Sequence, residues 1–182
     1  MGTIVVVDYD PSWPATFEHL RSQIWQAVSN VATAIEHVGS TSVPGLAAKP
    51  VIDMTIVVPS ETEVPVGIQR LGTIGYAHGG NLGVEGREAF TTPNSSPRHH
   101  VYLCPASSPA LANHLGVRNF LRCHPDVAQE YGALKKQLAV RFAEDIDGYT
   151  DGKTDMILRF LRQAGFDADA LEQIERINRR AV

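Results

Sequence analysis

The run VIDMTIVV, from Val51 to Val58, is apolar and rich in β-branched residues except for one carboxylate. Aspartate is disfavoured in strands and costly to bury without a partner. Either a cationic group meets Asp53 or the run is not a strand. Read as a strand, its alternation puts Asp53, Thr55 and Val57 on one side and Ile52, Met54 and Ile56 on the other. The apolar trio then faces a core, and Asp53 faces a cleft. Twelve residues separate Asp53 from Ser40, which with Gly39 follows a second strand-like run, Ala34 to Val38.

The rest of the chain supplies layers around these two runs. Thr3 to Val7 is a short β-branched segment, and Asp10-Pro11 offers an N-cap and first-turn proline for a helix reaching about Asn30. Phe17, Leu20, Ile24, Trp25 and Val28 give that helix one apolar stripe. Glu61 to Leu71 reads as a helix, and the glycine-rich Gly72 to Phe90 as a weak strand, a loop and the start of another strand. HHVYLC, from His99 to Cys104, is a further strand. Helices follow near Ala110 to Arg122, Pro125 to Phe142, Asp151 to Ala164 and Asp167 to Arg180. Strands come first and helices later, so the expected class is α+β, with the late helices against one side of a small sheet. Residues 1–182 are expected to form a single domain, with 109–182 as a helical subregion.

Composition narrows the function classes. A net charge of −4 and a pI near 5.9 leave no basic footprint, so nucleic acid is not an expected partner. The start, MGTIVVVDYD, lacks a basic stretch, and no apolar run approaches the ~18 residues of a membrane span. Neither a leader nor a membrane anchor is expected. Cys104 and Cys123 are far apart and fit reduced thiols in a cytoplasm better than a disulfide framework. Asn94-Ser95-Ser96 is formally a glycosylation sequon, without meaning in a cytoplasmic protein.

The loop from Gly39 to Pro50 is no P-loop, because Leu46 follows Gly45 and the lysine arrives only at Lys49. The Gly-x-Gly start of the dinucleotide fingerprint is absent as well. Instead, a hydrophobic residue, Gly-Ser, a loop and a strand aspartate resemble the signature of the nucleotidyltransferase fold. More narrowly, the sequence resembles the GrpB family, a nucleotidyltransferase-like group. The matching blocks are YDPSWP (Tyr9 to Pro14), IEHVGSTSVPGLAAKPVID (Ile35 to Asp53), RHHVYL (Arg98 to Leu103), the stretch from Asn113 to Ala139, and YTDGKTDMI (Tyr149 to Ile157). They span most of the chain.

The resemblance implies a small mixed sheet with a helical C-terminal half. It also implies transfer of a nucleotidyl group from ATP or another NTP to a small-molecule acceptor, with a divalent metal, Mg²⁺ or Mn²⁺. Gly39 and Ser40, at a turn opening a helix, would meet the phosphates, and Asp53 would hold the metal. The pattern departs at Thr55, where the second carboxylate should stand. A hydroxyl is a weak ligand for a hard dication, although one carboxylate with waters and phosphates can suffice.

The fold's third acid comes from a following strand, and there alternation lets only one of His99 and His100 face Asp53. His100, with Tyr102 beside it, is the candidate. His37 could reach the same cleft, and a His37, Asp53 and His100 set would suit Zn²⁺ or Mn²⁺ and metal-assisted hydrolysis. Each imidazole can equally be a hydrogen-bonded, half-buried group. Lys49, Arg118, Arg122 and Lys153 are candidate anion contacts, or else solvated charges or structural pairs, and Tyr149 and Lys153 would lie one turn apart on one helix face. Asp145-Ile146-Asp147, the literal Asp-hydrophobic-Asp, reads as a helix end and turn. Cys104 lacks a neighbouring base and reads as a buried thiol. A non-enzymatic alternative stays open: a metal- or ligand-binding module that has kept the cleft and lost the transfer chemistry.

Overall fold

The structure is a computed structural model and describes residues 3–93 and 97–179. The sequon at Asn94 therefore lies outside the described residues. In chain order, the elements are α1 (Trp13–Val28), β1 (Ala34–Val38), β2 (Ile52–Val58), α2 (Val64–Gly72), β3 (Ala77–His78), β4 (Glu88–Thr91), β5 (His99–Pro105), α3 (Pro109–Cys123), α4 (Pro125–Arg141), α5 (Ile146–Gln163) and α6 (Ala168–Arg179). The strands form one mixed sheet in the order β1-β2-β5-β4-β3, with β2 and β5 parallel and the other pairs antiparallel. This is an α+β architecture with a small mixed sheet and a helical C-terminal half, as the resemblance implies.

Period-two patterning decides which face of the sheet each residue takes. Ile52, Met54 and Ile56 pack under α1 and α2, joined by Phe17, Leu20, Ile24 and Val28 from the α1 stripe and by Val101 and Leu103 from β5. The other face carries Asp53 and Thr55. Over it stand the late helices, with Phe120, Leu121, Tyr131 and Phe160 closing on Val43 and Leu46 of the Gly-Ser loop. The Thr3 to Val7 segment adds no strand to the sheet. It runs extended beside the helices, with a single bridge from Val7 to Ala48, and Ile4 packs on Leu138, Ala139 and Tyr149.

Three boundaries differ from expectation, each for a local reason. Asp10 does not cap α1: its carboxylate accepts from the Ser12 N–H at 2.8 Å, closing the turn before the helix, which begins at Trp13. Helix α5 begins at Ile146, five residues before Asp151, because Asp145 is its N-cap and accepts from the Gly148 N–H at 2.9 Å. Asp145-Ile146-Asp147 is thus a helix start rather than a helix end. Lastly, Gly39-Ser40 opens no long helix. Ser40–Ser42 is a single 3₁₀ turn, stopped at Val43 because a residue before proline is pushed out of the helical region.

Candidate functional site

Gly39 and Asp53 are locked together by geometry. Val38 pairs with Asp53 across the β1–β2 ladder, so the chain leaving β1 passes directly over the Asp53 carboxylate. Gly39 takes φ +67° there, and a Cβ at this position would collide with Asp53 Oδ2. Only glycine fits both demands.

His100 sits opposite Asp53 in the parallel β2–β5 register. Its Nδ1 lies 2.8 Å from Asp53 Oδ1. A carboxylate oxygen accepts in this contact, so Nδ1 carries the proton of the bond and Nε2, on the far side of the ring, is left for another partner. His99 points the other way, is buried, and meets the Tyr76 hydroxyl at 2.7 Å. Alternation therefore sorts the His-His pair as expected.

His37 does not join them. It is in register with Met54, on the opposite face of the sheet. There it stacks on Phe17 at 4.6 Å, and its Nε2 lies 3.0 Å from the Thr41 hydroxyl. Burial drives its pKa down to about 4, against the pull of the Asp53 charge. The three-ligand set His37, Asp53 and His100 is not assembled. Among the described residues no cluster of three His, Cys, Asp or Glu could enclose a metal ion.

Thr55 is fully buried, and its hydroxyl lies 3.0 Å from Nδ1 of His114 on α3. Burial lowers the His114 pKa to about 4, so this imidazole is neutral near pH 7. The position where the signature wants a second carboxylate is thus a neutral hydrogen-bonded pair. A two-ion set does not fit. One ion fits better, held by Asp53 with the free nitrogen of His100 nearby and completed by waters and phosphate oxygens.

Facing this edge is a cavity of about 330 Å³ lined by Gly39, Ser40, Asp53, His100 and three lysines, Lys49, Lys135 and Lys153. Lys135, on α4, is 3% exposed and donates to Ser40 Oγ at 2.7 Å. Its ammonium lies 4.7 Å from the Tyr131 ring centroid. Lys153 and Lys49 lie over the Tyr149 ring, at 4.4 and 5.6 Å, and Tyr149 and Lys153 share one face of α5 as their spacing requires. Burial lowers all three lysine pKa values, with mutual repulsion adding for Lys135 and Lys153 and the Asp53 charge opposing; Lys153 comes down to about 8. Three lysine amino groups, each pushed toward its neutral form, are crowded into one recess with a single carboxylate. Such a site is electrostatically incomplete until an anion enters.

The arginines serve differently. Arg118 Nη1 donates to Glu36 Oε2 at 2.6 Å and to the His37 carbonyl at 3.1 Å. Arg122 donates twice to the Ser42 carbonyl, at 3.0 and 2.8 Å. Neither lines the cavity. Both fasten α3 to the β1 edge and the Gly-Ser loop. Sequence reasoning missed Lys135, His114 and Asn113. For Lys135 a signal existed: it falls in the buried stripe of α4 with Ala128, Tyr131, Leu138 and Ala139, where a lysine is as anomalous as Asp53 in its strand.

The sequence profile of the family described as GrpB protein matches residues 3–163. UPF0157 protein YqkA of Bacillus subtilis is 36% identical over 154 residues, covering 85% of this chain and 45% of that protein. The chain thus spans less than half of that relative. The crystal structure of the conserved protein GrpB from Enterococcus faecalis superposes with a TM-score of 0.78 at 35% identity, covering 88% of this chain and 96% of that one. The Cid1 poly(U) polymerase, in its MgGTP-bound form, superposes with a TM-score of 0.52 at 11% identity over 75% of this chain and 44% of its own, a likeness of fold alone. With its profile match, its relatives and its sheet in agreement, the chain belongs to the GrpB family and has the nucleotidyltransferase-like fold.

Proposed function

We propose that the protein binds a nucleoside triphosphate in the lysine-lined cavity and transfers its nucleotidyl group to a small-molecule acceptor, with Mg²⁺ or Mn²⁺. The observation that carries this reading is the convergence of Lys49, Lys135, Lys153 and Ser40 on the recess that Asp53 and His100 edge. Ser40 and the three ammonium groups bind the phosphates and neutralise them. Asp53 holds His100 in the Nδ1–H tautomer. In the reaction, an acceptor hydroxyl oxygen bonds to the α-phosphorus, the bond from that phosphorus to the bridging oxygen breaks, and pyrophosphate leaves. The hydroxyl proton passes to His100 Nε2. The metal, when held at Asp53, supplies charge neutralisation and polarisation of the phosphoryl group.

Calorimetric titration of ATP with Mg²⁺, Mn²⁺ or Zn²⁺, on wild type and Asp53→Ala, tests this. Nucleotide affinity that needs Mg²⁺ or Mn²⁺ and vanishes in the variant supports transfer. A second reading is a module that retains ligand binding without transfer, favoured by the buried Thr55–His114 pair where a second carboxylate is wanted. Tight Zn²⁺ binding with indifference to nucleotide would favour that reading and count against ours.

A further inference from the structure

The lysine cavity does not end at His100. A second, wider space of about 550 Å³ adjoins it, and Lys49, Val51 and His100 line both. Arg98, Glu144 and the N-terminal segment from Thr3 to Val5 are among its other walls. His100, nearly half exposed and engaged by Asp53 through Nδ1, thus stands on the border of the two spaces.

The walls are held by the fold. The Ile4 N–H donates to the Ala143 carbonyl at 2.7 Å, and Val7 and Ala48 exchange backbone hydrogen bonds at 2.9 Å, which fastens the N-terminal segment at both ends. Arg98 directly precedes β5, and its carbonyl accepts from the Ile52 N–H at 3.2 Å, so the residue is set beside the start of β2. Its side chain is exposed, and its guanidinium has no hydrogen-bond or ion-pair partner among the described residues. Burial lowers the Lys49 pKa, and the Arg98 charge, close by, lowers it further against the pull of Asp53. Glu144 is the one carboxylate that shares this space with Arg98 and Lys49, and it pairs with neither. A fork of donors beside a second amine, with no anion of the chain upon it, is what an incoming anion would complete.

Nucleotidyl transfer also needs a place for the acceptor. The attacking and leaving oxygens lie roughly in line at the phosphorus, and the base must be within reach of the attacking hydroxyl. A space that meets the lysine cavity at His100 offers that approach. We propose that this second space is the acceptor subsite and takes a small compound carrying an anionic group beside its hydroxyl, with the anion on Arg98 and the hydroxyl toward His100. The inference rests on the nucleotidyl-transfer reading of the lysine cavity. The anionic group has two sources, a carboxylate or a phosphate, and a guanidinium binds either through parallel N–H groups.

Calorimetry separates them. Wild type, Arg98→Ala and Val5→Trp are saturated with α,β-methylene-ATP and Mg²⁺ and then titrated with D-glycerate, glycerol 3-phosphate or glycerol. Val5 is exposed and lines only the second of the two spaces, so the tryptophan fills that space alone. Thermal melts verify that both variants fold. In wild type at least one anion binds about tenfold or more tightly than glycerol. Glycerate alone identifies a carboxylate, glycerol 3-phosphate alone a phosphate, and both together a subsite open to either. Each variant weakens that binding at least about tenfold and holds the affinity for the nucleotide analogue within about threefold. Wild type that takes the analogue and neither anion, anion binding that survives either variant, or a variant that loses the analogue as well overturns the subsite. Should wild type refuse the analogue, the transfer reading falls and takes the acceptor role with it, whereas refusal of the anions alone strikes only the subsite.

Discussion

Asp53 is tolerated in an apolar strand because the chain spends a glycine to make room for it and an imidazole to orient it. Gly39→Ala forces a Cβ onto the carboxylate at a positive φ, so urea denaturation should show a loss of roughly 1–3 kcal/mol. Lys135 presents the opposite trade. Its buried ammonium is held against a strong desolvation penalty, which a methionine of similar shape removes. Lys135→Met should therefore raise the melting temperature while weakening tripolyphosphate binding at least about tenfold. A variant that lost stability and kept its affinity would show the lysine to be structural. Asp53, His100, Gly39 and Lys153 were legible because each breaks or completes a local pattern. His114 and Asn113 were not, since nothing along α3 marks them; only the packing of that helix over Thr55 brings them to the site.

Elements, more than single residues, explain why two predicted anion contacts are elsewhere. The spacing of α3 fits either role for Arg118, but the helix crosses the β1 edge, where Glu36 stands half-buried on the Asp53 face beside Thr55. Arg118 is consumed there. Arg118→Met should cost about 2 kcal/mol in denaturant unfolding by leaving Glu36 and the His37 carbonyl without their donor. It should leave tripolyphosphate affinity unchanged; a large loss of affinity at preserved stability would return Arg118 to the site. The sheet and the late helices were readable from periodicity, since strands alternate and helices repeat their stripes. The start of α5 was not, because Asp145 reads equally as a turn residue until the cap bond to Gly148 is seen.

For the whole molecule, the burial of imidazoles and ammonium groups sets the response to pH. His37 and His114 have folded pKa values near 4 against an ordinary 6.5. Between those values the unfolded chain binds more protons, so the contribution of these two histidines is complete above pH 6.5 and is lost as the pH drops toward 4. Thermal melts across that window should show this loss, and a His114→Gln variant should show less of it. Lys153 works at the alkaline end, with a folded pKa near 8 against 10.5. The free protein should gain stability as pH rises between those values. Its affinity for polyphosphate should fall over the same range, because the anion needs the ammonium form. Binding isotherms at pH values on either side of 8 check the sign. No helix among the described residues is long and apolar enough to cross a membrane. The most direct test of the central claim is a crystal structure with Mn²⁺ and a non-hydrolysable triphosphate analogue. The account predicts phosphate oxygens against Ser40, Lys135 and Lys153, with an anomalous Mn²⁺ peak beside Asp53. A triphosphate bound elsewhere, or none bound while the cavity stays closed around its lysines, would contradict it.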